Sequence, residues 1–192
     1  MYRNFLAFVL MFVVVHISYG QLQYKLPQGF AVKKDYDDKE IKSIYDFDLD
    51  GIDDLAICVG KGDSELDNHI LIYLSRFYKS AESAQVIEFP SELLMIESYN
   101  GGFNISMVNC MGRCETKLNF EYDRTIGNLK LIALSDSHLP GMFGTEMEDS
   151  GYNNEYNFST GIATVDDEEK KFNPVVVTPG QFNQFWETFE LR

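Results

Sequence analysis

Carboxylates stand at alternating positions in Asp46-Phe47-Asp48-Leu49-Asp50-Gly51-Ile52-Asp53-Asp54-Leu55. Counted as a loop, the acids fall at positions 1, 3, 5 and 9, with glycine at position 6. A hard divalent cation such as Ca²⁺ takes about six to eight oxygens at about 2.4 Å. Alternate residues of a tight loop can point inward together, so a spacing of two supplies three carboxylates at once. Gly51 permits the backbone angle that folds the chain around an ion. The expected ligands are the carboxylates of Asp46, Asp48 and Asp50, the Ile52 carbonyl, and Asp54 closing the cage. Asp53 falls outside this pattern and is expected to face water. The competing reading is an acidic surface turn; ligand number and glycine placement favour the cation. Modest affinity, on the order of 10⁻⁴ to 10⁻³ M, suits an extracellular site. The expected role is structural: the ion ties two strands and offsets the repulsion among the acids. A catalytic metal would need an open coordination position beside an acid–base group, and the sequence displays neither clearly.

A helix–loop–helix calcium site would carry a bidentate glutamate at position 12, where this chain has Ile57. Ile-Tyr before the loop and Leu-Ala-Ile-Cys-Val after it are strand-like. In this the motif Asp-x-Asp-x-Asp-Gly-x-x-Asp-Leu resembles the calcium loop of FG-GAP/VCBS repeats, found in integrin propellers and many exported bacterial proteins. The resemblance covers roughly Ile41 to Gly60 and occurs once in the chain. It implies a strand–loop–strand cation site with Asp46, Asp48, Asp50, the Ile52 carbonyl and Asp54 as ligands.

Three cysteines are present, Cys58, Cys110 and Cys114. Cys110-Met-Gly-Arg-Cys114 lies between two alternating runs and is expected to bracket a hairpin turn. Outside the cytoplasm that pair can oxidise, and so short a ring would contribute roughly 2 kcal/mol in the chain-entropy model. A redox dithiol is the alternative, but redox pairs usually have two intervening residues and a helix start. Cys58 sits in an apolar run and reads as a buried thiol. His69 adjoins an apolar strand and reads as packed or hydrogen-bonded. Ser135-Asp136-Ser137-His138 contains triad residue types, but triads assemble across a fold, not from neighbours. A Gly-x-Ser-x-Gly elbow, a phosphate loop, a His-Glu-x-x-His helix and a dinucleotide fingerprint are all missing. No catalytic residue is assigned. The further acidic groups, Asp35/Asp37/Asp38, Asp63/Glu65/Asp67 and Glu146/Glu148/Asp149, read as solvated faces.

The elements that must position these residues are short strands. Strand character is expected around Ile41–Tyr45, Leu55–Val59, His69–Leu74, Phe103–Asn109, Thr116–Tyr122, Leu129–Leu134 and Asn173–Thr178. Asn100-Gly101-Gly102, Gly127-Asn128 and Gly151 to Asn154 punctuate them as turns. The fold class is therefore mainly β, an antiparallel meander forming a sandwich or an irregular barrel, with a short C-terminal helix packed on it. Pro90 followed by Ser91 to Ile96 is expected to make one or two helical turns. Thr178 as N-cap and Pro179 in the first position start the C-terminal helix over Gln181–Leu191. Phe182, Phe185, Trp186 and Phe189 then share one stripe, which is expected to pack on the sheet. The polar stretch His138 to Asn154 is expected to be a long loop.

Residues 1–20 carry Arg3, an uncharged apolar run from Phe5 to Val15, and Ser18-Tyr19-Gly20. That is the layout of a signal peptide, leaving 21–192 as a single β-rich domain. An export route to the periplasm or the medium is implied, with no membrane insertion after cleavage. Lys plus Arg number 16 against 30 Asp plus Glu, a net charge of −14. Such a field repels nucleic-acid phosphates and anionic lipid surfaces and attracts cations. The function expected is an exported calcium-binding β module, non-enzymatic, with an unidentified protein or glycan partner. The alternatives are a secreted hydrolase acting on a polymer through dispersed carboxylates, and an acidic inhibitor or immunity-type protein masking a basic enzyme.

Overall fold

The run Asp54 to Gly60 is buried at every residue, so it must be covered on both faces. The structure, a computed structural model, describes residues 24, 26–61, 68–75, 84–89, 93–109, 113–139 and 151–189. The expected signal peptide, residues 1–20, and the Asp63 and Glu146 acidic groups lie outside the described residues.

Five strands form a first antiparallel sheet: β1 (Phe30–Val32), β2 (Lys42–Tyr45), β3 (Asp54–Lys61), β4 (Asn68–Tyr73) and β5 (Gln85–Phe89). β3 is central. β4 lies along one side, while β2 and β1 share the other, pairing with Asp54–Ile57 and Val59–Lys61 respectively. Alternation then sorts the β3 side chains. Ala56 and Cys58 enter the main core, and Leu55, Ile57 and Val59 form a second apolar layer with Leu71 and Tyr73. Tyr24, Leu26, Phe30 and Val32 cover that second layer. This double covering explains why the strand reads as a continuous apolar run.

The second sheet is a seven-stranded meander: β6 (Leu93–Tyr99), β7 (Gly102–Asn109), β8 (Cys114–Asp123), β9 (Asn128–His138), β10 (Tyr152–Asn157), β11 (Ile162–Val165) and β12 (Glu168–Lys171). Each strand pairs antiparallel with the next. Its inner residues, among them Phe103, Ile105, Leu118, Phe120 and Leu131, pack against Ala56, Cys58, Ile70 and Ile72 of the first sheet. The result is an open two-sheet sandwich, not a closed barrel. Gly102 is required by close approach, since a Cβ there would lie 2.1 Å from the Phe120 carbonyl oxygen.

Two expected elements differ. The helical turns expected over Ser91–Ile96 are not formed at Leu93–Ile96, which belong to β6, in register with β7 through Ile96 opposite Ile105; Ser91 and Glu92 lie outside the described residues. Leu and Met favour helix locally, but pairing and burial of Leu94 outweigh that preference. Asn173–Thr178 is not a strand. Pro174 lacks an N–H, and the segment touches the ladder where Leu131 N–H donates to the Val177 carbonyl at 2.8 Å. Around the Gly151–Asn154 turn signals, residues from Tyr152 onward are strand.

At the C-terminus Pro179–Gln181 makes a 3-10 turn leading into α1 (Phe182–Thr188), with Thr178 at the N-cap. Phe182 is buried, Phe185 and Phe189 are half-buried, and Trp186 is exposed while stacking on Phe182 at 5.9 Å. Asn183 completes the sheet beneath: its Oδ1 accepts from Glu88 N–H at 2.9 Å and its Nδ2 donates to the Val86 carbonyl at 3.4 Å. One carboxamide thus satisfies the outward edge of β5, as a neighbouring strand would.

Candidate metal centre

The loop between β2 and β3 is anchored by two residues before its acids can converge. Phe47 is fully buried, its ring 5.0 Å from Phe103 and Phe103 in turn 5.4 Å from Phe120. Asp54, also fully buried, accepts from the backbone N–H groups of Phe47 at 2.7 Å and Asp48 at 3.1 Å through Oδ2. Its Oδ1 accepts from Ser75 N–H at 2.6 Å, just beyond β4. One carboxylate therefore ties the start of the loop, the start of β3 and the end of β4. Burial pushes the Asp54 carboxyl up to about 7, with the Asp48 charge adding to that, while the three N–H donors pull it down.

Above this clamp Asp46, Asp48 and Asp50 present ligand oxygens that all lie within 4.8 Å of one another. Asp48 is buried, Asp46 half-buried and Asp50 exposed, so the group opens to solvent on one side. The bend has left-handed backbone at Leu49 (φ +59°) and Gly51 (φ +88°). Loop amides orient each acid. Asp46 accepts from Asp50 N–H at 3.0 Å and Gly51 N–H at 2.9 Å. Asp48 Oδ1 accepts from Asp50 N–H at 3.2 Å, and Asp50 Oδ1 from Ile52 N–H at 2.8 Å. Ser75 Oγ donates to Asp50 Oδ2 at 2.8 Å, so both its hydroxyl and its amide brace the loop. A carboxylate oxygen that accepts one N–H keeps a second lone-pair direction, so these contacts orient the acids without exhausting them as ligands.

The structure thus brings together three of the expected ligands and sets Asp54 to a different task, holding backbone amides beside them. Ile52 lies on the exposed rim, 60% accessible, and Asp53 is exposed. A cation of calcium's size suits three converging carboxylates completed by carbonyl or water oxygens. Ser75 carried no sequence signal: it stands 25 residues from Asp50 and arrives because β4 pairs with β3. Phe47, between two of the acids, is buried and holds the bend in place.

The other candidates fall elsewhere. Cys58 is the free cysteine among the described residues, buried, with its thiol pushed up to about 12 by desolvation. Cys114 opens β8 opposite Asn109, and its expected partner Cys110 lies outside the described residues. His69 packs edge-on to Phe30 at 5.0 Å and faces Glu88 at 3.7 Å. Asp136 accepts from Thr116 at 2.8 Å and Tyr152 at 3.2 Å, while His138 lies 3.4 Å from Arg113 and its ring 5.7 Å from that of Tyr152. No protein-family model matches the chain, and no curated protein and no solved structure shows a significant similarity to it.

Proposed function

We propose that the protein is an exported, non-enzymatic binding module in which the β2–β3 loop holds a calcium ion for structural purposes. The observation that carries this reading is the convergence of Asp46, Asp48 and Asp50 within 4.8 Å around a glycine bend. Resemblance of the motif to the FG-GAP/VCBS calcium loop and the export-type leader support it. Asp46, Asp48 and Asp50 would hold the ion, with the Ile52 carbonyl or water filling further positions. The ion would supply positive charge where three acids crowd, drawing together the ends of β2, β3 and, through Ser75, β4. In a structural site of this kind the cation contributes folding energy. The Cys110–Cys114 pair is proposed as a structural disulfide closing the β7–β8 connection.

Calorimetric titration with Ca²⁺, paired with thermal melts, tests the reading. At 10 mM Ca²⁺ a dissociation constant of 10⁻⁴ to 10⁻³ M corresponds to about 1.4–2.7 kcal/mol of stabilisation. That is about 4–8 °C in melting temperature for a chain of this size, with Mg²⁺ giving less because it resists dehydration. Absence of binding heat together with unchanged melting would remove the proposal.

A further inference from the structure

The outer face of the second sheet carries a groove that the loop does not explain. Strand alternation places Leu118, Phe120, Leu134 and Ala163 in the core, so their neighbours point to the opposite face. Two cross-strand rows follow from the register. One runs Asn119, Ala133, Asn157, Ile162, and the next Ser135, Glu155, Thr164. These seven residues line a groove of about 570 Å³. That volume lies within the range of small-ligand sites, roughly 300–1,000 Å³.

The groove is built around a β-bulge. Between β8 and β9 the register shifts at Asn119/Phe120, so that Asn119 faces Ala133 while Phe120 faces Leu131. Ile132 is the additional residue, and its carbonyl accepts from Phe158 N–H at 2.9 Å. Bulges bend a strand and re-aim side chains, and they concentrate beside binding sites. Asn157 is likewise set in advance: its Oδ1 accepts from Ser159 N–H at 3.1 Å and Thr160 N–H at 3.0 Å.

We infer that this groove binds a neutral glycan. Amide and hydroxyl side chains there both donate and accept, as sugar hydroxyls do. Ala133 and Ile162 give an apolar strip for C–H surfaces. The described lining residues include one carboxylate, Glu155, and no cation; Lys117, which borders the groove opposite Ser135, is paired with Glu115 at 3.0 Å, and this balance disfavours phosphate, nucleotide and uronate ligands. The mixed polar lining disfavours lipid. An extended peptide cannot add as a strand, because the backbone groups of β8 to β11 already pair within the ladder. A single carboxylate also supports binding without hydrolysis, which ordinarily requires two facing each other. This inference rests on the sheet face and stands apart from the calcium reading.

Native gel electrophoresis of the full chain tests it, since its negative charge drives clean migration. Gels containing soluble β-glucan, xylan, galactomannan or an α-glucan are compared with gels lacking polymer, in Ca²⁺ and in EDTA. The result expected is retardation by at least one neutral polymer in both buffers, without release of reducing sugar. Ser135→Trp and Ile162→Glu fill or charge the groove on its exposed side and are expected to abolish retardation with unchanged melting temperature. Unretarded migration in all four gels overturns the inference. So does retardation of both variants equal to that of the wild-type chain.

Discussion

Two acidic turns flank β2 and behave in opposite ways. In the first, Asp35-Tyr36-Asp37-Asp38, the acids spread outward: Lys34 pairs with Asp38 at 2.9 Å and Lys39 with Asp37 at 3.1 Å. Asp35 accepts from Asp37 N–H and Lys39 N–H and closes the turn by itself. In the second, Asp46 to Asp50, no lysine or arginine flanks the acids, and the carboxylates converge. Acidic composition alone does not distinguish them. The difference lies in two buried anchors, Phe47 among the acids and Asp54 after them, against a turn exposed throughout. Convergence of like charges must be enforced by packing, whereas dispersal beside flanking lysines occurs wherever solvent is available.

The largest break in this comparison is expected at Asp54. Asp54→Ala strands three backbone N–H groups, two of them within the bend, and is expected to cost about 3–5 kcal/mol in urea unfolding. Asp35→Ala removes two exposed contacts and is expected to cost under about 1 kcal/mol. Equal losses in the two variants would show that the clamp does not set the two turns apart. Next comes Gly51→Ala, which places a side chain at φ +88° and is expected to cost about 1–3 kcal/mol while weakening calcium binding in titration calorimetry. Asp50→Asn sharpens the contrast through its sign. The asparagine still accepts from Ile52 N–H and can donate to Ser75 Oγ, so mainly the charge changes. In EDTA its melting temperature is expected to match or exceed wild type. In 10 mM Ca²⁺ its unfolding free energy is expected to fall short of wild type by about 1–2 kcal/mol. Asp37→Asn is expected to be flat in both buffers, within about 0.5 kcal/mol.

The smallest effect concerns a third turn, between β8 and β9. Asp123 accepts from Lys130 Nζ at 2.7 Å and from Thr125 N–H at 2.8 Å. The Lys130 contact, then those from Thr125, hold its carboxyl well below the ordinary range. A depressed folded-state value means the contribution is full above the unfolded value of about 3.9 and is lost as pH falls below it. Stability profiles of wild type and Asp123→Asn should therefore separate at neutral pH and converge in acid. Parallel profiles would show that the charge of Asp123 has no part in the turn.

Much of the first sheet was legible because β3 and β4 are apolar at nearly every position, a pattern that burial on both faces produces. The long members of the meander were legible through strict alternation, as in Leu118, Phe120 and Tyr122 against Lys117, Asn119 and Glu121. Less could be read of β11 and β12: Glu168–Lys171 is wholly charged and is a strand only because Ile162–Val165 pairs with it. β6 was misread as helical because Leu-Leu-Met-Ile carries no periodicity of its own. In the candidate site, spacing and glycine located Asp46, Asp48 and Asp50, while the role of Asp54 required knowing which amides lie near it.

The sequence by itself determined a β-rich body, an acidic field and a loop whose alternating acids bend at a glycine, because periodicity, charge and backbone freedom are local properties. The tertiary structure decided that the meander stays an open sandwich, that Asp54 holds amides from the start of the loop and from beyond β4, and that Ser75 reaches Asp50. It also decided that a bulge opens a polar groove across four strands. Those outcomes depend on strand register and on contacts between distant residues, for which no local pattern is a substitute.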